Sequence, residues 1–410
     1  MQTTLSEHAR TLPRAEEAER ILRSCVHCGF CNAACPTYQL LGDELDGPRG
    51  RIYLIKQVLE GHEVTAKTQL HLDRCLSCRN CETTCPSGVD YHNLLDIGRA
   101  AVDAVVPRSP GQRLLREGLR RIVPNAGLFK ALIGLGTAFR PLLPGNLQDK
   151  LPATTQAAGL RPVPRHARRV LMLEGCVQPG LSPNTNAATA RVLDRMGISV
   201  SPVGEAGCCG AVDYHLNAQD AGLDRARRNI DAWWPAIEDG AESIVQTASG
   251  CGAFIKDYGH LLRNDPRYAN KAAVVSARAK DLVEVLRDEP LEALGLKADT
   301  RLAFHCPCTL QHAQKLGGEV ERVLVRLGFN LTSVPDSHLC CGSAGTYSMT
   351  QPLLARQLRD NRMHALESGK PQVIATANIG CQTHLASAKR TPVRHWIELI
   401  DEAIGTPESL

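Results

Sequence analysis

The sequence predicts a multidomain α+β protein in which a small helical domain is followed by two repeated α/β domains. A four-cysteine motif occurs twice near the start of the chain, and a helical apolar pattern lies between the two copies. A second cysteine pattern occurs twice downstream, at an offset of 132 residues. Each downstream copy alternates short buried strands with helices, which favours α/β units built on a mainly parallel sheet.

Composition narrows the function before any motif is considered. The 410 residues are 43% hydrophobic and 22% charged, as expected of a globular chain with two or three domains. A net charge of +4 and only 16 Trp, Tyr and Phe residues argue against nucleic-acid binding. The chain has no apolar leader and no long apolar run, so we expect a cytoplasmic protein. In that reducing compartment its 17 cysteines are expected to be metal ligands or redox groups rather than disulfides.

The first motif has the form C-x2-C-x2-C-x3-C-P. Its copies are Cys25-Val-His-Cys28-Gly-Phe-Cys31-Asn-Ala-Ala-Cys35-Pro36 and Cys75-Leu-Ser-Cys78-Arg-Asn-Cys81-Glu-Thr-Thr-Cys85-Pro86. Between them, apolar residues recur at helical spacing over residues 51–60, before a stop at Gly61. We therefore predict a helical domain over residues 1–106.

Iron–sulfur ligation explains this spacing better than zinc does. A structural zinc site takes two close cysteine pairs separated by a longer loop, whereas three cysteines at x2 spacing wrap three corners of a [4Fe–4S] cubane. The fourth cysteine, which a proline follows, ligates the other cluster. The domain is thus predicted to be ferredoxin-like with two [4Fe–4S] clusters. The predicted ligands are Cys25, Cys28, Cys31 and Cys85 for the first cluster, and Cys75, Cys78, Cys81 and Cys35 for the second.

Cations near these motifs are candidates for tuning the clusters. Arg51, Arg74 and Arg79 can raise a cluster's potential, because positive charge stabilises the more negative reduced state. A solvated surface charge is nevertheless the more ordinary role for each of them. His27 and His71 are expected to be bystanders rather than ligands.

The downstream repeat pairs a Cys-Cys-Gly segment with one cysteine upstream, across 31 residues, and another downstream. Strand-like segments at 169–173 and 301–304 open the two copies, and helical patterns follow them. We predict two α/β cysteine-rich domains, residues 168–295 and 296–410.

Each copy gathers four sulfurs if the sheet brings its loops together, and a metal or cluster site is the natural use of such a group. Redox-active thiols and plain buried cysteines stay open as alternatives, although adjacent cysteines form only a strained disulfide. Gly210 and Gly342 allow a sharp turn directly after the paired cysteines, where a side chain would crowd the cluster. The two candidate sets are Cys176, Cys208, Cys209 and Cys251 in the first copy, and Cys308, Cys340, Cys341 and Cys381 in the second.

A basic segment, residues 107–167, separates the helical domain from the repeats. Residues 107–169 hold 12 Lys or Arg but only two acidic residues, with Pro and Gly at intervals and Leu, Ile and Phe interleaved. Such a stretch suits an anionic membrane surface or an acidic partner. A linker packed over its own protein stays open as the alternative.

The Cys-Cys-Gly segments resemble the cysteine-rich domains of heterodisulfide reductase subunits, of the small subunit of anaerobic glycerol-3-phosphate dehydrogenase and of lactate-utilisation proteins. In those proteins a further cysteine follows the last one as C-x-x-C, whereas this chain has Phe254 and His384 at those positions. The departure puts a five-thiolate cluster in doubt, above all in the first copy, because Phe254 cannot ligate. The second copy is therefore the tentative third cluster site, supplemented by His384 or Cys306, and the first copy is the weaker candidate.

The whole chain resembles the iron–sulfur subunits of bacterial glycolate oxidase. Besides the first motif, the matching segments are Gly42-Asp-Glu-Leu-Asp-Gly-Pro-Arg-Gly-Arg51, Leu173-Glu-Gly-Cys176 and Thr376-Ala-Asn-Ile-Gly-Cys381-Gln-Thr-His384. The resemblance implies a complex in which FAD-containing 2-hydroxy-acid dehydrogenase subunits oxidise glycolate to glyoxylate. This chain would relay the electrons towards a quinone or another acceptor, at the cytoplasmic face of the inner membrane, and would hold no substrate-oxidising site of its own.

The sequence also lacks the cofactor-binding and catalytic motifs that a substrate-oxidising subunit would need. The sequence has no G-x-G-x-x-G after a strand, no P-loop and no H-E-x-x-H. One rival is a subunit of a related lactate, glycerol-3-phosphate or heterodisulfide oxidoreductase, the last acting on a disulfide or quinone directly. The other rival is a zinc-binding module whose basic segment holds an acidic partner. Metal analysis separates them, because two [4Fe–4S] clusters give about eight irons and three give about twelve.

Overall fold

The computed structural model describes residues 1–142, 157–296 and 298–405. Residues 143–156 of the predicted linker therefore lie outside the described residues. The chain forms two compact units. The first unit consists of Met1–Glu117 and His338–Leu358, and the second of Gly118–Ser337 and Arg359–Leu410.

The N-terminal part of the first unit is helical, as the sequence predicts. Its helices are Glu7–Arg10, Ala15–Ser24, Phe30–Ala33, Pro36–Leu41, Pro48–Leu59, Ala66–Asp73, Asn80–Thr84 and Tyr91–Val105, with a 3-10 turn at Glu44–Asp46. Helix Pro48–Leu59 buries Ile52, Ile55 and Leu59 on one face. This helix packs against Tyr91–Val105. The approach is close at Gly98, where a Cβ would lie 2.5 Å from Cγ1 of Ile55.

The two repeats are α/β domains with parallel sheets, as predicted. The strands are β1 (Arg168–Met172), β2 (Ile198–Ser201), β3 (Ile244–Gln246), β4 (Ala279–Asp281), β5 (Arg301–His305), β6 (Asn330–Leu331), β7 (Val373–Thr376) and β8 (Val393–His395). One sheet has the order β2-β1-β3-β4 and the other β6-β5-β7-β8, with every pair parallel. The repeat in the cysteines is thus a repeat in the fold.

Helices alternate with these strands and complete each repeat. In the first copy they are Gln178–Leu181, Asn184–Arg195, Ala211–His215, Gln219–Glu238, Ser249–Lys256, Tyr258–Leu261, Ala269–Arg278 and Leu282–Leu286, with a 3-10 turn at Leu291–Leu294. In the second copy they are Glu319–Arg326, Tyr347–Thr350, Pro352–Glu367, Ile379–Ala386 and Trp396–Ile404, with a π turn at Thr309–Ala313.

The two copies pack on each other reciprocally within the second unit. Helix Asn184–Arg195 of the first copy packs against Trp396–Ile404 of the second, and Leu282–Leu286 packs against Glu319–Arg326. Each copy thus offers an early helix to a late helix of the other, the pattern of a twofold-related contact. One apolar core runs through both copies. Leu286 and Leu324 are fully buried in it.

The compact units depart from the predicted domain boundaries at two places, because the first unit extends to Glu117, inside the predicted linker, and also takes in residues 338–358. Residues 338–358, which carry Cys340-Cys341-Gly342, group with the helical domain rather than with the rest of the second repeat. The side chain of Asn80 donates from Nδ2 to the carbonyl oxygen of His338 at 3.3 Å. A repeat in sequence reports shared spacing and not packing partners, so the boundaries stay a prediction.

The described part of the basic segment forms helices Pro110–Ile122 and Ala126–Ala138 and a 3-10 turn at Arg140–Leu142. One side of Ala126–Ala138 lies on helix Gln178–Leu181. No residue of Ala126–Ala138 is buried. Its other side carries large apolar side chains at helical spacing, which we call the apolar stripe. The stripe residues are Leu128, Leu132, Leu135 and Phe139, exposed by 42, 41, 57 and 56%.

A membrane-spanning segment was not expected from the sequence. Within residues 1–142, 157–296 and 298–405, no helix combines the length and the apolar character that crossing a bilayer requires.

Candidate metal centres

The two four-cysteine motifs form loops with the same backbone course. In each loop the residues before and after the second cysteine have positive φ. These residues are His27 at +61°, Gly29 at +87°, Ser77 at +50° and Arg79 at +59°. Backbone of this kind turns successive N–H groups into one concavity, an arrangement common at iron–sulfur sites. Positive φ costs a non-glycine residue about 1–2 kcal/mol, so the loops hold a conformation that their sequence does not favour.

An open cavity of about 430 Å³ lies inside the first loop. The cysteines that line it are Cys25, Cys28, Cys31 and Cys85, with Cys81 on a wall shared with the next cavity. Cys25 is buried and Cys28 is exposed, so the cavity meets the surface at Cys28. Val26 and Phe30 line this edge and are 68 and 63% exposed.

A second open cavity, of about 370 Å³, lies beside the first. The cysteines that line it are Cys35, Cys75, Cys78 and Cys81. Pro48, Cys81 and Tyr91 line both cavities. Cys35 leaves its own loop because it is the N-cap of helix Pro36–Leu41, whose first position favours proline. The structure thus places side by side the two groups of four cysteines that the crossed ligation pattern requires.

Arg51 is fully buried at the second cavity, which corrects the expectation of a solvated surface charge. Its Nη1 lies 4.0 Å from the sulfur of Cys35. Its Nε donates to the carbonyl oxygen of His71 at 2.8 Å, and its Nη2 lies 3.4 Å from Oδ1 of Asp46. The buried guanidinium is tolerated because its donors are paired with acceptors. The spacing of residues in the sequence does not reveal this pairing.

Asp46 is the counter-charge of this group, and sequence reasoning missed it. Its carboxylate is fully buried and contacts three groups. Besides Arg51, these are Arg74, with Nη1 at 2.8 Å from Oδ2, and His71, with Nδ1 at 3.1 Å from Oδ1. His71 is therefore a partner of Asp46 and does not line either cavity. The signal in the sequence is the acidic stretch 43–46, which lies close before Arg51.

Hydrogen-bond donors converge on Cys75. The hydroxyl of Tyr91 donates to its sulfur at 3.8 Å, and the backbone N–H of Ser77 donates at 3.4 Å. Tyr347 is buried in the same unit, and its hydroxyl has no hydrogen-bond partner within the part of the chain that the structure describes. Burial raises the pKa of this phenol; the charge of Arg51 opposes the shift, and that of Cys75 adds to it. The hydroxyl of Tyr347 is a hydrogen-bond donor close to these charges. Such a donor suits a bound group with acceptor atoms, such as a cluster sulfide.

The cysteines of both cavities fit iron–sulfur clusters by their chemistry. Thiolates are the soft ligands that such clusters require. Burial, and then the neighbouring Cys25, raise the pKa of Cys31 to about 11. Burial, and then Cys78, raise the pKa of Cys81 well above the ordinary value. Crowded thiols of this kind keep their protons until a cationic centre replaces them, as bound metal does.

The four cysteines of the first Cys-Cys-Gly copy meet within the second unit. Cys208 shares side-chain hydrogen bonds with Cys176 and Cys209, and Cys209 shares one with Cys251. The bonds from Cys176 and Cys209 lower the pKa of Cys208. The same contacts raise the pKa of Cys176 and Cys209. The weaker of the two candidate sets is therefore brought together in the structure.

Gly210 makes the sharp turn that is predicted after the paired cysteines, and it also lies against a neighbouring helix. Its φ is +100°, and a Cβ would lie 2.4 Å from the carbonyl oxygen of Gly222. A side chain at this position would therefore collide with helix Gln219–Glu238. Phe254 stands where the resembling proteins have a thiol, and it packs against Tyr214 and Tyr258 with ring centroids 5.4 and 5.8 Å away.

The candidate cysteines of the second copy are divided between the two units. Cys308 and Cys381 belong to the second unit, and Cys340 and Cys341 belong to the first. In the second unit, Asn378 Nδ2 donates to the sulfur of Cys381 at 3.4 Å. These four cysteines as a ligand set stay a prediction.

His305 is a further candidate in the second copy that sequence reasoning passed over. Its Nδ1 accepts from Nε of Arg362 at 3.2 Å, and its Nε2 is buried and has no hydrogen-bond partner among the described residues. A ring nitrogen of His305 lies within 4.8 Å of the sulfur of Cys381. The first copy has Leu173 at the matching position, so the repeat gave no signal. Cys306, expected as a supplement, lies in the apolar core, and its role as a ligand stays a prediction.

Comparison with known proteins identifies the families to which the two regions are similar. The family of 4Fe-4S dicluster domains matches residues 21–89, and the family of cysteine-rich domains matches residues 170–256 and 302–386. A solved structure of a hypothetical protein from Helicobacter pylori has a TM-score of 0.55 over 98% of this chain and 74% of that one. At 10% sequence identity, that likeness shows the fold alone.

Three curated proteins illustrate the sequence relationships. The glycolate oxidase iron-sulfur subunit of Escherichia coli (strain K12) is 72% identical over 98% of this chain and 99% of that protein. The probable glycolate oxidase iron-sulfur subunit of Bacillus subtilis (strain 168) is 31% identical over 90 and 88%. Lactate utilization protein A of Bacillus subtilis (strain 168) is 24% identical, over 57% of this chain and 99% of that protein.

Proposed function

This chain belongs to the family of glycolate oxidase iron–sulfur subunits, and from that premise we propose that it relays electrons from the glycolate-oxidising part of such a complex to an acceptor. It is the electron-transfer component of an oxidoreductase, and glycolate is oxidised to glyoxylate on a partner subunit. The observation that carries the proposal is the pair of cysteine-lined cavities with Pro48, Cys81 and Tyr91 as their common wall. When bound, a [4Fe–4S] cluster takes up and releases single electrons.

The partner is proposed to carry FAD. A 2-hydroxy acid gives up a hydride, which is two electrons, and a flavin can accept the hydride and pass the electrons on singly. The sequence of this chain has no flavin or nicotinamide motif. We assign the docking of the FAD subunit to the edge of the first cavity at Cys28. There a proposed ligand reaches the surface between the exposed apolar side chains of Val26 and Phe30, so a donor can approach without crossing protein.

A further cluster is proposed in the Cys-Cys-Gly repeats. The first copy has the stronger structural support, because its four cysteines are joined by side-chain hydrogen bonds inside one unit. The set of the second copy is supported by its spacing and by the donor from Asn378 to Cys381. The proposed ligands are Cys176, Cys208, Cys209 and Cys251, and Cys308, Cys340, Cys341 and Cys381.

We place the chain in the cytoplasm, at the inner membrane, with a quinone as the acceptor. The apolar stripe of helix Ala126–Ala138 supports this placement, since it lies in a segment rich in Arg and Lys and poor in acidic residues. Apolar side chains flanked by cations favour the surface of an anionic bilayer. The stripe would then enter the headgroup region without spanning the membrane.

Glycolate is preferred to the other substrates of related complexes. The similarity to lactate utilization protein A covers 57% of this chain, whereas the glycolate relatives match 98 and 90% of it. The heterodisulfide alternative is weakened by Phe254, which fills the place of a thiol with an aromatic ring.

The proposal is tested on the chain co-expressed with its flavin subunits and purified without oxygen. We expect at least about eight irons and as many sulfides per chain, and little zinc. Glycolate should bleach the flavin and then produce the paramagnetic signal of reduced clusters, and lactate should do so far more slowly. A purified chain that contains zinc but no sulfide would refute the assignment of both clusters. If dithionite reduces the clusters but glycolate does not, the proposed transfer of electrons from glycolate to the clusters is refuted.

A further inference from the structure

We propose that Arg51 holds the cluster on Cys35, Cys75, Cys78 and Cys81 at a higher midpoint potential than the cluster on Cys25, Cys28, Cys31 and Cys85, so that electrons collect on the second site. The inference rests on the proposed function, because it presumes that both clusters are bound with crossed ligands. It assigns an order to the two centres and a role to a residue that ligates neither.

The first step is the position of the charge. Nη1 of Arg51 lies 4.0 Å from the sulfur of Cys35, and the side chain is only 1% exposed. An arginine stays protonated in proteins, so this is a fixed positive charge. Water and salt screen a buried charge far less than an exposed one. A fixed charge at this distance therefore favours the reduced, more negative state of the second centre.

The second step is the balance of charge around Arg51. Asp46 is buried beside it, but this one carboxylate is shared between Arg51 and Arg74, at 3.4 and 2.8 Å. Two guanidinium groups against one carboxylate leave a net positive charge. Asp46 therefore weakens the effect of Arg51 without cancelling it.

The third step is the contrast with the first cavity. Arg49 lines that cavity, two residues before Arg51 on the same helix. Its side chain is 33% exposed, and its Nε lies 2.6 Å from Oε1 of Glu44 in a pair of its own. An exposed, paired and screened cation has little effect on a nearby potential. Hydrogen-bond donors favour the reduced state of the second centre as well, since the hydroxyl of Tyr91 and the backbone N–H of Ser77 both donate to Cys75 of the second set.

The difference in midpoint potential between the two centres sets the direction of electron transfer within the first unit. The first cavity opens to the surface at Cys28, where a donor can approach. The second cavity lies on the side of segment 338–358, since Asn80 in its loop bonds to His338 and the charges of Arg51 and Cys75 reach Tyr347. Electrons that enter at the first centre are thus drawn inward, towards the segment that carries Cys340 and Cys341.

The test is a redox titration of the anaerobic complex followed by electron paramagnetic resonance. Iron and sulfide are measured first, so that missing clusters are recognised as failure of the proposed function. A Cys78→Ser variant identifies the signal of the second centre as the one that it removes or alters. The variants to compare are Arg51→Met, Arg51→Lys, Asp46→Asn and Arg49→Gln.

Arg51→Met should lower the midpoint of the second signal so that its reduced fraction relative to oxidised falls at least tenfold at a fixed potential, which is about 59 mV for one electron. Arg51→Lys should stay near wild type, because the charge is kept. Asp46→Asn should shift the same signal upward, which general damage to the site does not produce. Arg49→Gln should leave the second signal in place.

Two results would overturn the assignment. One is an Arg51→Met protein with both clusters present and the second midpoint unchanged, or with both midpoints shifted equally. If Arg51→Met fails to assemble the second cluster, Asp46→Asn decides: an unchanged or lowered second midpoint in that variant overturns the assignment, and a raised one supports it.

Discussion

A Cβ on Gly210 would lie 2.4 Å from the carbonyl oxygen of Gly222, so the turn after the paired cysteines and helix Gln219–Glu238 touch through backbone. The second repeat has the same relationship, since a Cβ on Gly342 would lie 2.7 Å from the carbonyl oxygen of Ala355. Both glycines also have positive φ, of +100° and +86°. Each Cys-Cys pair is thus held by a helix that packs directly on the glycine following it.

Replacement of Gly210 by alanine should unsettle the first repeat. The added Cβ is strained by the positive φ and collides with backbone, which together cost about 2–4 kcal/mol of unfolding free energy. Gly207→Ala is the matched control, because a Cβ there meets nothing within 4 Å and the φ is ordinary. Urea unfolding under anaerobic conditions measures the free energy of unfolding of the two variants. Equal stability of the two variants would show that the close approach is not constraining.

The cysteine motifs predicted much of the fold because ligand spacing is a local property. Three cysteines at x2 spacing fix the loop around a cubane, and the repeated Cys-Cys-Gly segments fix two copies of one α/β unit. The strands at residues 169–173 and 301–304 agree with β1 and β5 to within one residue at each end. Short buried runs before cysteines were a reliable signal of parallel strands.

Features that depend on distant packing were not predictable in the same way. Arg51 has the sequence context of a surface residue, and its burial follows from acceptors supplied by His71 and Asp46. Segment 338–358 joins the helical domain through contacts with residues some 260 positions away, such as Asn80 to His338. The unpartnered nitrogen of His305 is visible only once Arg362 is seen to occupy the other one.

Serine at Cys28 or Cys78 should remove one [4Fe–4S] cluster each. A hydroxyl is a poorer ligand for iron than a thiolate, so we expect each variant to lose about four irons per chain. Glycolate should still bleach the flavin of the complex, while reduction of the acceptor is abolished. The control is Thr84→Ser, because Thr84 is exposed next to Cys85, is not a proposed ligand and keeps its hydroxyl in the variant. Normal acceptor turnover in Cys28→Ser or Cys78→Ser would contradict the relay.

Acid should weaken the second unit through His395. Its Nε2 donates to the carbonyl oxygen of Thr247 at 2.8 Å and its Nδ1 accepts from the N–H of Ile397 at 3.3 Å, so the ring is neutral and has no place for a second proton. Burial lowers its pKa to about 4. The unfolded chain binds the proton near pH 6.5, so the stability that His395 contributes is present above pH 6.5 and is lost as the pH falls through about 4. The loss amounts to roughly 3 kcal/mol.

The measurement is the pH dependence of thermal unfolding, compared between wild type and His395→Gln. Burial raises the pKa of Asp281 to about 7, which gives the opposite slope over part of this range. The difference between the two proteins isolates His395, and it should shrink steadily from pH 7 to pH 4. His364→Gln, at an exposed position of the second unit, should show a constant difference. Parallel curves for wild type and His395→Gln would rule out this contribution.

Glutamine at both Leu132 and Leu135 should weaken binding to anionic bilayers. These side chains belong to the apolar stripe and are 41 and 57% exposed. Burying a leucine side chain contributes about 1.5–3 kcal/mol, so loss of both should lower binding to vesicles at least tenfold even when insertion is partial. Vesicles of phosphatidylcholine with about 30% phosphatidylglycerol provide the anionic surface, and added salt should weaken binding of the wild type. Val325→Gln, 59% exposed elsewhere in the second unit, should bind as wild type does. If wild type fails to bind these vesicles, yet the double variant loses its flavin subunits during purification, the stripe is a subunit interface and not a membrane contact.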